Sequence, residues 1–412
     1  MKVLKLSLLL FLGFSSTTLF ANEQESDLND YISQYKQQAF EYDYTKNSVE
    51  GAKLRDSWIA PLQLNYSFSR SKPYEEEQQN ESAAIKLDQP IFQSGGIYYG
   101  IKFAEANRRY SDFSVDVAKR KMIKDAVALL MQIKQSELKE QKQHLLIKNS
   151  EINLAQKKEE YLSGKLDSGF LDNAIIQRNI VIQTLYDLQS AKEKLITQFH
   201  SLSDLDYKKA TIPHLEFISA KQFLGNNIVL KQKAAEIEKN RYAKDVRVAK
   251  YLPRLNLTAG YNWSKSSGQQ IYAGGTLFDS SNELHYYDYG FRVNIPLDIN
   301  TFRDIESAKV DYLKSKVLKE DKKRQLKALF EQVMHNIKNF NQKIKLSDEN
   351  KKLYKKLLRD TKELYAAGYK TQYDVDTLQN SLKIQDIDTK IYAISKQLEL
   401  LNLYEMYVNG GE

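Results

Sequence analysis

The 412-residue sequence has no cysteine, which excludes disulfide staples and zinc-thiolate centres and removes the thiol through which some exported envelope proteins are lipidated. Chain breakers are scarce too, with 6 proline and 16 glycine. Beyond residue 21 no apolar run reaches eighteen residues, the length a spanning helix needs. The five histidines, at 144, 200, 214, 285 and 335, never fall at metal-ligand spacing. There is neither a phosphate-binding glycine loop ending in Lys-Ser/Thr nor a nucleophile elbow. The expectation is a protein that is not an enzyme and holds no metal or cofactor.

The beginning of the chain points to export. Lys2 and Lys5 precede a short apolar stretch that gives way to small polar residues before Ala21, the pattern of a signal peptide over 1–21. Removing those two lysines from the formal +8 leaves +6. With 28% of residues charged and spread along helices rather than blocked, that excess reads as solvated faces, not a nucleic-acid footprint.

Four stretches alternate oily and polar residues. Leu62, Leu64, Tyr66 and Phe68 share one face while Gln63, Asn65, Ser67 and Ser69 share the other. Ala83, Ile85 and Leu87 oppose Ala84, Lys86 and Asp88. Leu255, Leu257, Ala259, Tyr261 and Trp263 oppose Asn256, Thr258, Gly260, Asn262 and Ser264; Tyr287, Tyr289, Phe291, Val293 and Ile295 oppose Asp288, Gly290, Arg292 and Asn294. A period of two means strand. About ten residues per strand, with an aromatic-tipped apolar face and a polar opposite face, fits a membrane barrel around water. The expected strands are 61–70, 82–91, 254–264 and 286–296, with outward-facing loops at 70–82, rich in Glu75, Glu76, Glu77 and Glu81, and at 265–286, rich in small residues.

The chain also contains its own copy. Trp58-Ile-Ala-Pro61-Leu-Gln-Leu matches Tyr251-Leu-Pro253-Arg-Leu-Asn-Leu, Leu87-Asp-Gln-Pro90-Ile-Phe matches Val293-Asn-Ile-Pro296-Leu-Asp, and Tyr161-Leu-Ser-Gly164 matches Tyr365-Ala-Ala-Gly368. The offsets are 192, 206 and 204, so the second hairpin is the longer one. Two repeats follow, 22–210 and 211–412, each running helix, strand, strand, long helix, glycine turn, helix. Proline-free segments predict helices over 97–162 and 301–367; at 1.5 Å per residue each is a rod of about 100 Å. Helices follow at 170–202 and 372–408. Ala174, Val181, Leu188, Leu195 and Leu202 recur every seven residues, as do Ile384, Ile391 and Leu398 beside Ile387, Ile394, Leu401 and Val408, which implies coiled-coil packing. Pro90 and Pro296, where alternation stops, mark the handover from sheet to helix.

Four strands do not close a barrel, and an open edge in lipid leaves backbone groups unpaired. Copies must share one: three give twelve strands, two give eight. The order Leu-Pro-x-Leu-x-Leu, alternating strand, Gln-Pro-Ile-Phe-x-x-Gly-Gly, long helix, then Tyr-x-x-Gly-x-x-Thr-x-Tyr-Asp-Val resembles the TolC-like outer-membrane efflux proteins. That resemblance implies a mostly α chain with a membrane β-barrel portion, a homotrimer with a 12-stranded barrel on a long α-helical tunnel, and an exit duct for efflux or type I secretion. It implies a periplasmic adaptor and an inner-membrane transporter as partners, with outer-membrane lipid around the barrel. A periplasmic coiled-coil scaffold or adaptor is the competing reading; it accounts for the rods but leaves the apolar strand faces in water.

The resemblance also nominates a gate. Asp374 falls on the position of an acidic constriction ring, and Tyr365 and Lys370 on positions that latch the inner helix pair. Asp376 adds charge nearby, although the family's second acidic position falls on Thr377. Thr371-x-x-Asp374 also reads as a capping box. The first turn, Gly164 to Asp172, reads as one residue longer than the second, making Asp172 a loose match for the acidic latch partner and Asp167 the alternative.

Overall fold

The structure, a computed structural model, describes residues 28–72, 77–273 and 276–408, side chains at 269–280 excepted. The leader expected at 1–21, Glu75, Glu76 and the Gly274-Gly275 tip lie outside the described residues. In chain order the elements are α1 (Gln34–Arg55), β1 (Gln63–Ser71), β2 (Gln78–Phe92), α2 (Gly96–Leu162), α3 (Ser168–Leu202), α4 (Ala220–Gly225), α5 (Ile228–Lys250), β3 (Arg254–Ala273), β4 (Thr276–Asn294), α6 (Thr301–Ala366) and α7 (Gln372–Tyr404). The chain is mostly helical, and α2 and α6, at 67 and 66 residues, are the two rods.

The strands form one antiparallel meander, β1-β2-β3-β4, in which the hairpin of each repeat joins the other through β2 and β3. The register places the oily residues on one face. Tyr66 pairs with Ala83, Ala83 with Trp263, and Tyr261 with both Ile85 and Tyr287. That face is bare: Leu62, Leu64, Tyr66, Phe68, Phe291, Val293 and Ile295 are all exposed, Tyr289 to 80%. Leu255, Leu257 and Trp263, on the inner strand β3, are half-buried. The opposite face is cross-linked. Asn256 Nδ2 donates to Asp88 Oδ1 at 2.7 Å and Arg292 to Asp88 Oδ2 at 2.8 Å, tying β2, β3 and β4 together. Asn262 donates to Asp288 Oδ1 at 2.9 Å.

The second hairpin is longer than expected. Residues 265–286 are not a loop, since β3 continues to Ala273 and β4 starts at Thr276. Ser-Lys-Ser-Ser-Gly-Gln-Gln shows no apolar alternation, but an antiparallel ladder needs only backbone groups. A bulge between Ser266 and Gln269 is taken up at Gly268, φ +82°, where an added Cβ would sit 2.2 Å from the Glu77 carbonyl oxygen. The left-handed conformation alone disfavours any other residue by about 1–2 kcal/mol, and the backbone contact adds to it. Gly268→Ala should therefore lower the thermal midpoint of the purified protein, followed by the β signal in circular dichroism. An unchanged midpoint would mean that the hairpin shifts without loss.

The handovers to helix differ from each other. Pro90 lies inside β2, paired with Asn256, and the ladder shifts register between it and Phe92; Pro296 follows the end of β4 at Asn294. Beside Pro90, the Gln89 side chain accepts from Ala60 N–H at 2.9 Å and donates to Trp58 O at 3.1 Å, fixing how the chain enters β1. Ser94 Oγ donates to Pro253 O at 2.7 Å, so the two repeats are tied where sheet meets helix.

The helices stand as staves. Near the sheet α2 packs on α1 and α5, and α5 on α6; towards the glycine turns α2 packs on α3 and α7, and α7 on α6. The main core lies at mid-height, where 203–219 crosses the staves as a strap. Phe199, Phe223, Leu130, Met131 and Leu403 are fully buried there, and the Phe223 and Phe330 rings stack at 5.8 Å. Burial of one such side chain stabilises by about 1.5–3 kcal/mol. Asn227 caps α5 from within this region, accepting from Val229 and Leu230 N–H at 3.0 and 3.2 Å.

Candidate functional site

Both rods end in the same way. At the first turn Gly164 N–H donates to Tyr161 O and Lys165 N–H to Glu160 O, each at 2.9 Å; at the second Gly368 N–H donates to Tyr365 O at 3.0 Å and Tyr369 N–H to Leu364 O at 2.9 Å. These paired bonds close the last helical carbonyls around a left-handed residue, and glycine supplies it, with φ +74° at Gly164 and +79° at Gly368. The cap of the next helix falls three residues later in both copies, at Asp167 before α3 and at Thr371 before α7. The first turn therefore carries no extra residue, a correction to the sequence reading: Asp167 corresponds to Thr371, Phe170 to Asp374, and Asp172 to Asp376.

The capping box at Thr371 is formed. Asp374 Oδ2 accepts from Thr371 N–H at 3.0 Å, Thr371 Oγ1 accepts from Asp374 N–H at 3.3 Å, and Lys370 Nζ lies 3.8 Å from Asp374 Oδ1. Donation from the Thr371 backbone, against partial desolvation, holds the Asp374 carboxyl below the usual aspartate range. Asp376 accepts from Gln372 Nε2 at 2.8 Å. Tyr365 is half-exposed and Asp172 exposed. Within one chain, among the described residues, no hydrogen bond or ion pair joins Tyr365 or Lys370 to Asp172.

Which side each acid faces follows from the strap. Asp376, Lys383, Lys390, Gln397 and Tyr404 recur every seven residues along α7. Gln397 accepts from Leu215 N–H of the strap at 2.9 Å, and Tyr404 from Glu216 N–H at 3.2 Å. That stripe, Asp376 included, lies on the strap side. Asp374 is two residues away, roughly 200° round the helix, and so points to the opposite side.

Sequence reasoning missed a polar seam between α2 and α7, where the two repeats meet. From the turns upward, Tyr373 OH donates to Glu159 at 2.8 Å, Asn380 to Asn149 at 2.8 Å, Lys142 to the largely buried Asp388 at 2.7 Å, and Gln135 to Ser395 Oγ at 2.7 Å. On α7 these partners recur at intervals of seven or eight, which is the signal that could have found them. Tyr373–Glu159 is the bond nearest the turns that holds α7 to α2. Tyr373→Phe should speed amide hydrogen exchange in the first turns of α7; unchanged exchange in the variant would show that this bond does not restrain the tip.

Residues 220–406 match the family described as outer membrane efflux protein. Across nearly the whole chain the structure superposes on solved channels. The Campylobacter jejuni CmeC outer membrane channel aligns at TM-score 0.70 and 14% identity, covering 95% of this chain and 87% of that one. The outer membrane protein VceC from Vibrio cholerae aligns at 0.69 and 14%, covering 93% and 97%, and the Neisseria gonorrhoeae MtrE outer membrane channel at 0.60 and 12%, covering 93% and 88%. The chain has the TolC-like fold. No curated protein matches it. Among the described residues no helix is long and apolar enough to cross a membrane.

Proposed function

We propose that three copies of this chain form a duct through the outer membrane and periplasm, an exit channel for substrates handed on by an inner-membrane transporter through a periplasmic adaptor. One observation carries the reading: the sheet and the helical layer are open along the same two edges. β1, α1 and α3, all from the first repeat, lie at one edge; β4 and α6, from the second, lie at the other. Closing the sheet between copies therefore also closes the helices into a tunnel. Twelve strands satisfy every edge, the bare aromatic face then meets lipid, and the Asp88–Arg292–Asn256 face lines water. The strap lies on the outer wall, since on the inner one it would obstruct the passage, and this turns Asp374 inward near the tip. A soluble scaffold offers no reason for residues such as Tyr289 and Phe291 to stand bare on a sheet.

The test is direct. The mature protein should fractionate with outer membranes, require detergent, show a trimer mass by light scattering, and give discrete conductance steps in planar bilayers. A detergent-independent monomer would end the proposal.

A further inference from the structure

On the strap side, two heptads nearer the turns, the staves leave a groove of about 680 Å³ between α2, α7 and α6. Its side is fixed three times over. Lys134 donates to Lys208 O of the strap, and Gln141, one heptad on, lines the groove. Gln397 touches the strap, and Lys383, two heptads back, lines the groove. On α6, Ile337 and Asn341 lie beside strap residues His214 to Phe217, and Lys351 and Lys355, fourteen residues on, line the groove.

The groove runs between parallel rods, with Leu145, Leu382 and Ile387 on its floor and His144, Lys351, Lys355 and Lys383 around it. The carboxylate among its lining residues, Asp386, is already held by Lys351 at 2.5 Å and Lys390 at 3.0 Å. An apolar floor with a surplus of ammonium groups complements a helix that presents leucine-like residues flanked by carboxylates. We propose that this groove is a lateral docking site for an acidic amphipathic α-helix of a partner protein, on the side wall of the tunnel and separate from the glycine turns. The inference rests on the duct reading in one respect, that the strap side is the outer, periplasm-facing wall.

A fluorescent synthetic helix of leucine, glutamate and alanine, titrated into the purified full-length protein in detergent, tests it. Anisotropy should show saturable binding that weakens at least tenfold in Lys355→Glu/Lys383→Glu, which leaves the Lys351–Asp386 pair intact, and that is lost when a central proline breaks the probe helix. Leu382→Gln, which keeps every charge, should weaken binding as well. Unchanged binding in the double-lysine variant overturns the site; equal competition by polyglutamate or by soluble muropeptides overturns the helical partner, because charge alone would then be read. Planar-bilayer conductance of the same proteins separates the two proposals. Failure to form channels counts against the duct, whereas channels of normal conductance without probe binding count against the groove.

Discussion

Asp374→Asn should relieve block of the channel by a trivalent cation at least tenfold and raise single-channel conductance. In the proposed trimer three inward-facing Asp374 side chains surround the axis near the tip, and like charges held together attract multivalent cations. Asparagine keeps an oxygen of similar shape to accept from Thr371 N–H, so the cap on α7 persists while three charges leave. Alanine would remove both and confuse a weakened cap, worth about 1 kcal/mol, with a changed aperture. Bilayer recordings with hexamminecobalt measure the effect, and equal block in both proteins would take Asp374 out of the constriction.

The pH dependence of that block has a definite sign. The Thr371 backbone N–H depresses the Asp374 pKa in the folded chain, so its charge, and the stability linked to it, is present above the unfolded value near 4 and is lost only as pH falls through the lower folded value. Block should accordingly survive acidification to about pH 4. Repulsion among three copies acts in the opposite direction; block that disappears well above that pH would show repulsion outweighing the cap.

What could be read in advance was whatever repeats with a hydrophobic period. Leu62 to Phe68 and Tyr287 to Ile295 announce strands because one face is oily throughout, and the long rods follow from the lack of proline between residues 97 and 162. The extended β3–β4 hairpin was hidden because Ser264 to Gln270 carry no alternation of apolar and polar residues. The equal length of the two turns was obscured by the acids. Asp172 invites alignment with Asp374, whereas the caps at Asp167 and Thr371 fix the frame through backbone geometry. The α2–α7 seam escaped because Asn380 and Ser395 look like surface residues until Asn149 and Gln135 are brought against them.

Leu353→Asp should abolish the trimer. The exposed apolar residues on the two open helix edges match in height when counted from the turn glycines. Leu346 of α6 and Tyr186 of α3 each lie 22 residues from Gly368 and Gly164 respectively. Leu353 lies 15 residues away and Ile180 16; Leu357 lies 11 and Ile176 12. Because α6 runs towards the tip and α3 away from it, equal counts at 1.5 Å per residue mean equal heights, so α6 of one copy can lay this stripe against α3 of the next. In the single chain Leu353 is 54% exposed and Ile180 49%, which leaves about half of the 1.5–3 kcal/mol per side chain to be gained on assembly. A carboxylate there would forfeit that gain three times over and add the several kcal/mol penalty of a buried unpaired charge. Light scattering in detergent should report monomers for Leu353→Asp and for Ile180→Asp, while Leu353→Lys combined with Ile180→Asp should recover trimers by placing opposite charges across the seam. If Leu353→Asp assembles normally, α6 and α3 do not meet at this register; if only the paired variant fails to recover, the heights match but the side chains do not face each other.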